Sequence, residues 1–123
     1  MKKEKLYFDS TNGSDRICYF KYTPEVAPRA IFQMVHGMAE YAERYEALAE
    51  LLCNHGYVVY IHEHVGHGNT AKDVEHLGLF LDANQSVTLV EDTHKMSEIA
   101  RNENPSLPLN LFGHSMGSFV VRL

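Results

Sequence analysis

Positive charge is scarce in this chain, cysteine is scarcer, and a long apolar run is missing altogether. Eleven lysines and arginines stand against 16 aspartates and glutamates, a net charge of -5 that argues against a nucleic-acid or anionic-membrane partner. No stretch approaches the ~20 apolar residues needed to span a bilayer, and the opening Met1-Lys2-Lys3-Glu4-Lys5-Leu6 lacks the apolar core of a signal peptide. The two cysteines, Cys18 and Cys53, sit in strand-like and helix-like surroundings and read as reduced core thiols of a cytoplasmic protein.

What is present suits one soluble globular unit: 123 residues, 45% hydrophobic and 22% charged. Lys5 to Asp9 and Arg16 to Tyr22 flank a turn whose Asn12-Gly13 pair favours positive φ, which predicts an opening β-hairpin. Ala30 to Val35 and Tyr57 to Ile61 are nearly continuous apolar strands of the kind buried on both faces, and Leu107 to Phe112 reads as a third. Between them, Glu43 to His55 repeats Ala47, Leu48, Leu51 and Leu52 at helical spacing before Gly56 stops it. Ser86 to Asn102 predicts a second helix, with Leu89, Met96 and Ala100 on one face and Val87 and Val90 beside it. A hairpin followed by strand, helix, strand, helix, strand implies an α/β sheet whose later strands are parallel and joined by right-handed crossovers.

Ligands on such sheets bind at the carboxyl ends of the strands. Three clusters of chemistry-bearing residues fall there: His36-Gly37-Met38-Ala39-Glu40, His62-Glu63-His64-Val65-Gly66-His67-Gly68 and Gly113-His114-Ser115-Met116-Gly117. The last is a G-x-S-x-G pattern between an apolar strand and the helix-compatible run Ser118 to Leu123. On a sharp strand-to-helix turn a strained backbone lifts the serine hydroxyl above the sheet, and Gly113 and Gly117 leave room for strand and helix to approach. By itself the pentapeptide divides evenly between such a nucleophile turn and a plain structural one.

Together the three segments resemble the α/β-hydrolases, and within them the monoacylglycerol lipase and lysophospholipase-like branch of the serine aminopeptidase S33 type. The run His36 to Tyr45 is similar to that branch's H-G-x-x-E-H-x-x-R-Y, Glu63 to Thr70 to its D-x-R-G-H-G-x-S, and Gly113 to Gly117 to its G-H-S-M-G. Tyr41, Glu63, Val65 and Thr70 depart from the pattern, where the branch carries histidine, aspartate, arginine and serine; none is the nucleophile. The resemblance implies the N-terminal half of an α/β-hydrolase fold, ending at the nucleophile elbow, with no metal or organic cofactor. It implies a serine carboxylic-ester hydrolase acting on monoacylglycerol or lysophospholipid-type substrates through an acyl-enzyme at Ser115. The backbone N–H groups of Met38 and Met116 would hold the oxyanion, with His36 and Gly37 supporting the first and Gly113, His114 and Gly117 shaping the elbow. The implied partner is a small ester or lipid, and transient contact with a membrane surface is compatible with it.

A serine hydroxyl is a poor nucleophile until a histidine oriented by a carboxylate takes its proton, and in this fold both follow the serine. Eight residues follow Ser115 and none is Asp, Glu or His, while all eight histidines precede it. The triad acid and base are thus absent, so residues 1–123 read as a single incomplete domain, inactive in isolation. Its last strand, apolar on both faces, would be an edge through which the chain self-associates. Two other readings stand beside this one. The first is a non-catalytic binding protein derived from a hydrolase and complete as it stands. The second is a zinc-dependent hydrolase using His62, His64 and His67, similar to the H-x-H-x-D-H loop of metallo-β-lactamase-like enzymes but with Gly66 at the aspartate position. His55, His76 and His94 read as solvent-facing or helix-end residues, and Glu43, Glu46 and Glu50 as a solvated face.

Overall fold

A computed structural model describes residues 1–11, 13, 15–35, 45–63 and 83–113, with 83–87 and 89 as backbone alone. Strands β1 (Lys2–Asp9) and β2 (Arg16–Thr23) form the expected hairpin, in register from Lys2↔Thr23 to Asp9↔Arg16. Gly13 takes φ 80°, where a Cβ would be strained, and its N–H donates to the Ser10 carbonyl at 3.1 Å. β1 begins three residues earlier than the hydrophobic pattern suggested, because its lysine-rich start pairs with β2 through backbone groups that do not depend on side-chain polarity.

Strand β3 (Ala30–Val35), helix α1 (Glu46–Asn54), strand β4 (Tyr57–His62), helix α2 (Ala83–Glu103) and strand β5 (Leu109–Gly113) follow, the sheet running β1-β2-β4-β3-β5. β3 is parallel to both β4 and β5, whereas β2 meets β4 antiparallel. The path from β3 to β4 moves one way across the sheet, and the path from β4 to β5 moves back over β3. Right-handed crossovers then require α1 and α2 to lie on opposite faces. The core has those two layers. Ala49 and Cys53 of α1 pack with Cys18, Phe20, Tyr22, Met34, Val59 and Ile61. Met96 and Ala100 of α2 pack with Phe8, Ile17, Tyr19, Ile31, Val58 and Tyr60.

Both helices correct the sequence reading in detail. On α1 the small Ala49 and Cys53 face the sheet, Leu48 and Leu52 flank them half-buried, and Leu51 is 53% exposed. A helix lies closest to a sheet over its smallest side chains, so the leucines taken as the centre of its face are instead its margins. Gly56 ends α1 at φ 88°, and its carbonyl accepts from the Arg29 N–H at 2.9 Å, tying the helix end to the start of β3. α2 runs Ala83–Glu103, longer at its start than predicted. It puts Asp92, Thr93 and Ser97 into the interface beside Met96 and Ala100. At its far end Glu103 accepts from the Tyr60 hydroxyl at 2.5 Å and pairs with Lys21 at 3.0 Å, which offsets a carboxylate placed at the negative end of a helix.

β5 departs most from expectation. It starts two residues later than the apolar run, and it is not buried on both faces: Leu111 is 47% and Phe112 37% exposed. Among the described residues β5 pairs with β3 alone, so its outer backbone groups and apolar side chains form an open edge. The 123-residue chain is expected to associate as concentration rises in sedimentation velocity, and Leu111→Lys to reduce that association. A monomer at every concentration would remove β5 as an association edge.

Cys18 and Cys53 are buried free thiols, as read from the sequence. Burial, followed by the charge and hydrogen bonding of Glu63, pushes Cys18 from the ordinary 9.0 up to about 12, and burial also raises Cys53. Neither thiol is expected to react with Ellman's reagent at pH 8 until urea unfolds the chain. An unfolded Cys18 loses its proton near 9.0 and a folded one holds it to about 12. Its contribution to stability is therefore intact below pH 9 and lost as pH rises toward 12, which denaturant titrations across that range check.

Candidate functional site

The three parallel strands end level. Val35, the last residue of β3, is in register with His62 on one side and Gly113 on the other, and those are the last residues of β4 and β5. α1, which β3 leads to, lies on one face, and α2, which β4 leads to, lies on the other. In open sheets of this kind ligands bind outside the carboxyl ends of adjacent strands whose connections leave to opposite faces, as those of β3 and β4 do. Of the residues predicted to carry chemistry, Gly113 is described, closing β5. His36, Gly37, Met38, His114, Ser115, Met116 and Gly117 lie outside the described residues.

Beneath the strand ends is a polar layer that apolar periodicity did not reveal. Gln33 of β3 is fully buried; its Nε2 donates to the Thr93 carbonyl at 3.0 Å, and its Oε1 accepts from the Ser97 hydroxyl at 2.5 Å. The Thr93 hydroxyl lies 3.4 Å from Nε2 of His62, which is also fully buried and packs against the Phe8 ring. One residue earlier on α2, the buried Asp92 carboxylate accepts from the Ser10 hydroxyl at 2.8 Å, the Thr11 N–H at 2.8 Å and the Thr11 hydroxyl at 2.9 Å. Glu63, buried just past β4, donates its N–H to the Cys18 carbonyl at 2.8 Å. The signal in the sequence was the helical spacing of Asp92, Thr93, Met96, Ser97 and Ala100, a single face that mixes polar and apolar residues.

His62 is the described member of the alternative zinc triad, and its Nε2 is directed at Thr93 inside the sheet–helix interface. That placement sets it to hold the interface rather than to ligate outward, and His64 and His67 lie outside the described residues. Among the described residues no group of three His, Cys, Asp or Glu side chains is placed to hold a metal ion. His55 closes α1 with Nδ1 2.8 Å from the Leu51 carbonyl, and the exposed His94 meets Glu98 one turn on, both helix-surface roles as expected. Glu50 is exposed, but Glu46 accepts from Lys3 at 2.8 Å and so joins α1 to β1; His76 and Glu43 lie outside the described residues. A groove of about 200 Å³ lined by Met1, Pro24, Glu25, Val26, Cys53 and Asn54 lies near the end of β2 and of α1, at the opposite end of the sheet from the level strand ends.

No described helix is long and apolar enough to cross a membrane. The family described as serine aminopeptidase, S33, matches residues 26–123. The monoacylglycerol lipase of Mycolicibacterium smegmatis is 38% identical over 109 residues, which make up 89% of this chain and 37% of that protein. The human monoglyceride lipase is 30% identical over 114 residues, 93% of this chain and 35% of that enzyme. A thermostable carboxyl esterase from Bacillus coagulans, solved with glycerol, superposes with a TM-score of 0.89 at 40% identity, over 99% of this chain and 39% of the esterase. The five-stranded mixed sheet with its flanking helices is thus the N-terminal portion of the α/β-hydrolase fold, and the chain spans little more than a third of the length of these relatives.

Proposed function

We propose, for a chain that belongs to the serine aminopeptidase S33 family of α/β-hydrolases, that it supplies the nucleophile and oxyanion half of a serine ester hydrolase acting on monoacylglycerol or lysophospholipid-type substrates. The observation that carries this is the level ending of β3, β4 and β5, because each of the three sequence clusters starts at one of those ends. Adjacent strands are ~4.8 Å apart and a chain spans at most ~3.6 Å per residue. The chain lengths therefore allow Ser115, two residues past Gly113, and the Met38 N–H, three residues past Val35, to meet at one substrate carbonyl.

In this reading the Ser115 hydroxyl attacks the ester carbonyl and its proton passes to a histidine. The oxyanion is held by the Met38 and Met116 N–H groups, each worth ~3 kcal/mol in the transition state. The histidine gives that proton to the departing glycerol or other alcohol, and water then hydrolyses the acyl-enzyme, releasing the fatty acid and restoring the Ser115 hydroxyl. The histidine and its carboxylate are not among these residues after Ser115, so the isolated 123-residue chain is read as inactive. The names of the relatives support the monoester class, whereas the name of the family raises peptides as a competing substrate. The test is to assay the protein that carries these residues against a monoacylglycerol, a lysophospholipid, a thioester and an aminoacyl peptide. Release of glycerol with little peptide cleavage supports the reading; preferential peptide cleavage replaces it.

A further inference from the structure

We infer that Thr93 is a positioning residue that sets helix α2 against the carboxyl ends of the paired strands β3 and β4, acting through Gln33 and His62. The functional part of this inference rests on the reading that ester chemistry takes place above those ends. Thr93 is the point where the two strands are held by one residue: its carbonyl accepts from Gln33 of β3, and its hydroxyl meets His62 of β4. Gln33 lies two residues before Val35, and His62 is Val35's own partner in the ladder. Both contacts therefore act within one pleat of the place where the chain leaves the sheet. Ser97, one turn further along α2, holds the other end of the Gln33 amide, so that side chain is fixed at both its donor and its acceptor.

A helix packed only for burial needs no such contacts. Met96 and Ala100, beside Thr93 and Ser97 on the same face, supply the apolar packing and are fully buried. Apolar contacts resist separation but allow sliding, whereas hydrogen bonds have direction and fix position along the strand axis. Sliding matters at this point, since a misplacement of ~1 Å at a catalytic centre can cost ~100-fold in rate.

The test compares Thr93→Val, which removes the hydroxyl at nearly constant volume, with Thr93→Ser, which keeps it. In the protein that carries this chain, the valine variant is expected to lower kcat for monoester hydrolysis about tenfold with KM changed less than about twofold, and the serine variant to restore it. Amide hydrogen exchange supplies a second readout. In the valine variant it is expected to quicken at Val35, His62 and Gly113 while staying unchanged in the β1–β2 ladder at Leu6 and Tyr19. Unchanged exchange at the strand ends, or a uniform rise across the sheet, overturns the inference, as does a fall in kcat that serine does not restore. Should the parent hydrolyse no ester at all, the functional reading fails by itself and the exchange pattern alone decides the role of Thr93. If the valine variant does not fold, Ser97→Ala, which frees the Gln33 amide at one end, is expected to show the same local exchange pattern.

Discussion

Ser115→Ala is expected to lower kcat/KM for monoester hydrolysis by about 10⁴- to 10⁶-fold in the protein that carries this chain, with the thermal midpoint almost unchanged. The size follows from the chemistry, because without the hydroxyl no acyl-enzyme can form and water must attack the ester directly. Some acceleration over the uncatalysed reaction is expected to persist, since the N–H groups proposed for the oxyanion, those of Met38 and Met116, would still stabilise it. A residual rate within tenfold of the parent would show that Ser115 is not the nucleophile and that the G-x-S-x-G segment is a structural turn. A loss of activity together with a large drop in midpoint would point to damage of the elbow rather than removal of a reacting group. Mass spectrometry of the parent with a fluorophosphonate, expecting one adduct on Ser115 and none in the alanine variant, separates these cases.

Asp92→Ala is expected to destabilise the fold by about 2 to 3 kcal/mol. Asp92 is fully buried and accepts three hydrogen bonds from the β1–β2 turn, which is 81 to 82 residues away in the chain. Its removal leaves the buried Ser10 hydroxyl without that acceptor, whereas water can reach the two donors of the exposed Thr11. Asp92→Asn keeps one acceptor oxygen but turns an NH2 toward donors, so an intermediate loss is expected. Urea unfolding monitored by tyrosine fluorescence gives both values. A loss below about 1 kcal/mol for alanine would mean that apolar contacts around Phe8 dock the hairpin without help from α2.

The hairpin turn at Gly13, the helix stop at Gly56 and the two apolar strands Ala30–Val35 and Tyr57–His62 were legible because each depends on local chemistry: a backbone that needs positive φ, or side chains that avoid water on both faces. The central face of α1 was not, because hydrophobic counting favours leucine, whereas close approach to a sheet favours Ala49 and Cys53. Asp92, Thr93 and Ser97 were passed over for a related reason: polarity reads as exposure unless the partners, Ser10, Thr11, Gln33 and His62, are known to be opposite. For the site, the order of elements placed the three clusters at the carboxyl ends of three successive strands, and the register of Val35, His62 and Gly113 adds that those ends are neighbours. The polar layer that braces those ends had no motif to announce it.

The two borders of the sheet are unlike in a way that gives it a growth direction. Along β1 the outermost residues include Lys2, Lys3 and Lys5; Lys3 is engaged with Glu46 and lies over the Phe20 ring. A newcomer docking there would have to strip water from ammonium groups and break contacts already made. Along β5 it would meet Leu111 and Phe112, half-open and apolar, and would gain by covering them. Among the described residues a further strand would find its favourable berth on the β5 side rather than beside β1. That asymmetry would make the addition of strands sequential and one-way, an order of assembly imposed by surface chemistry rather than by the sequence of synthesis.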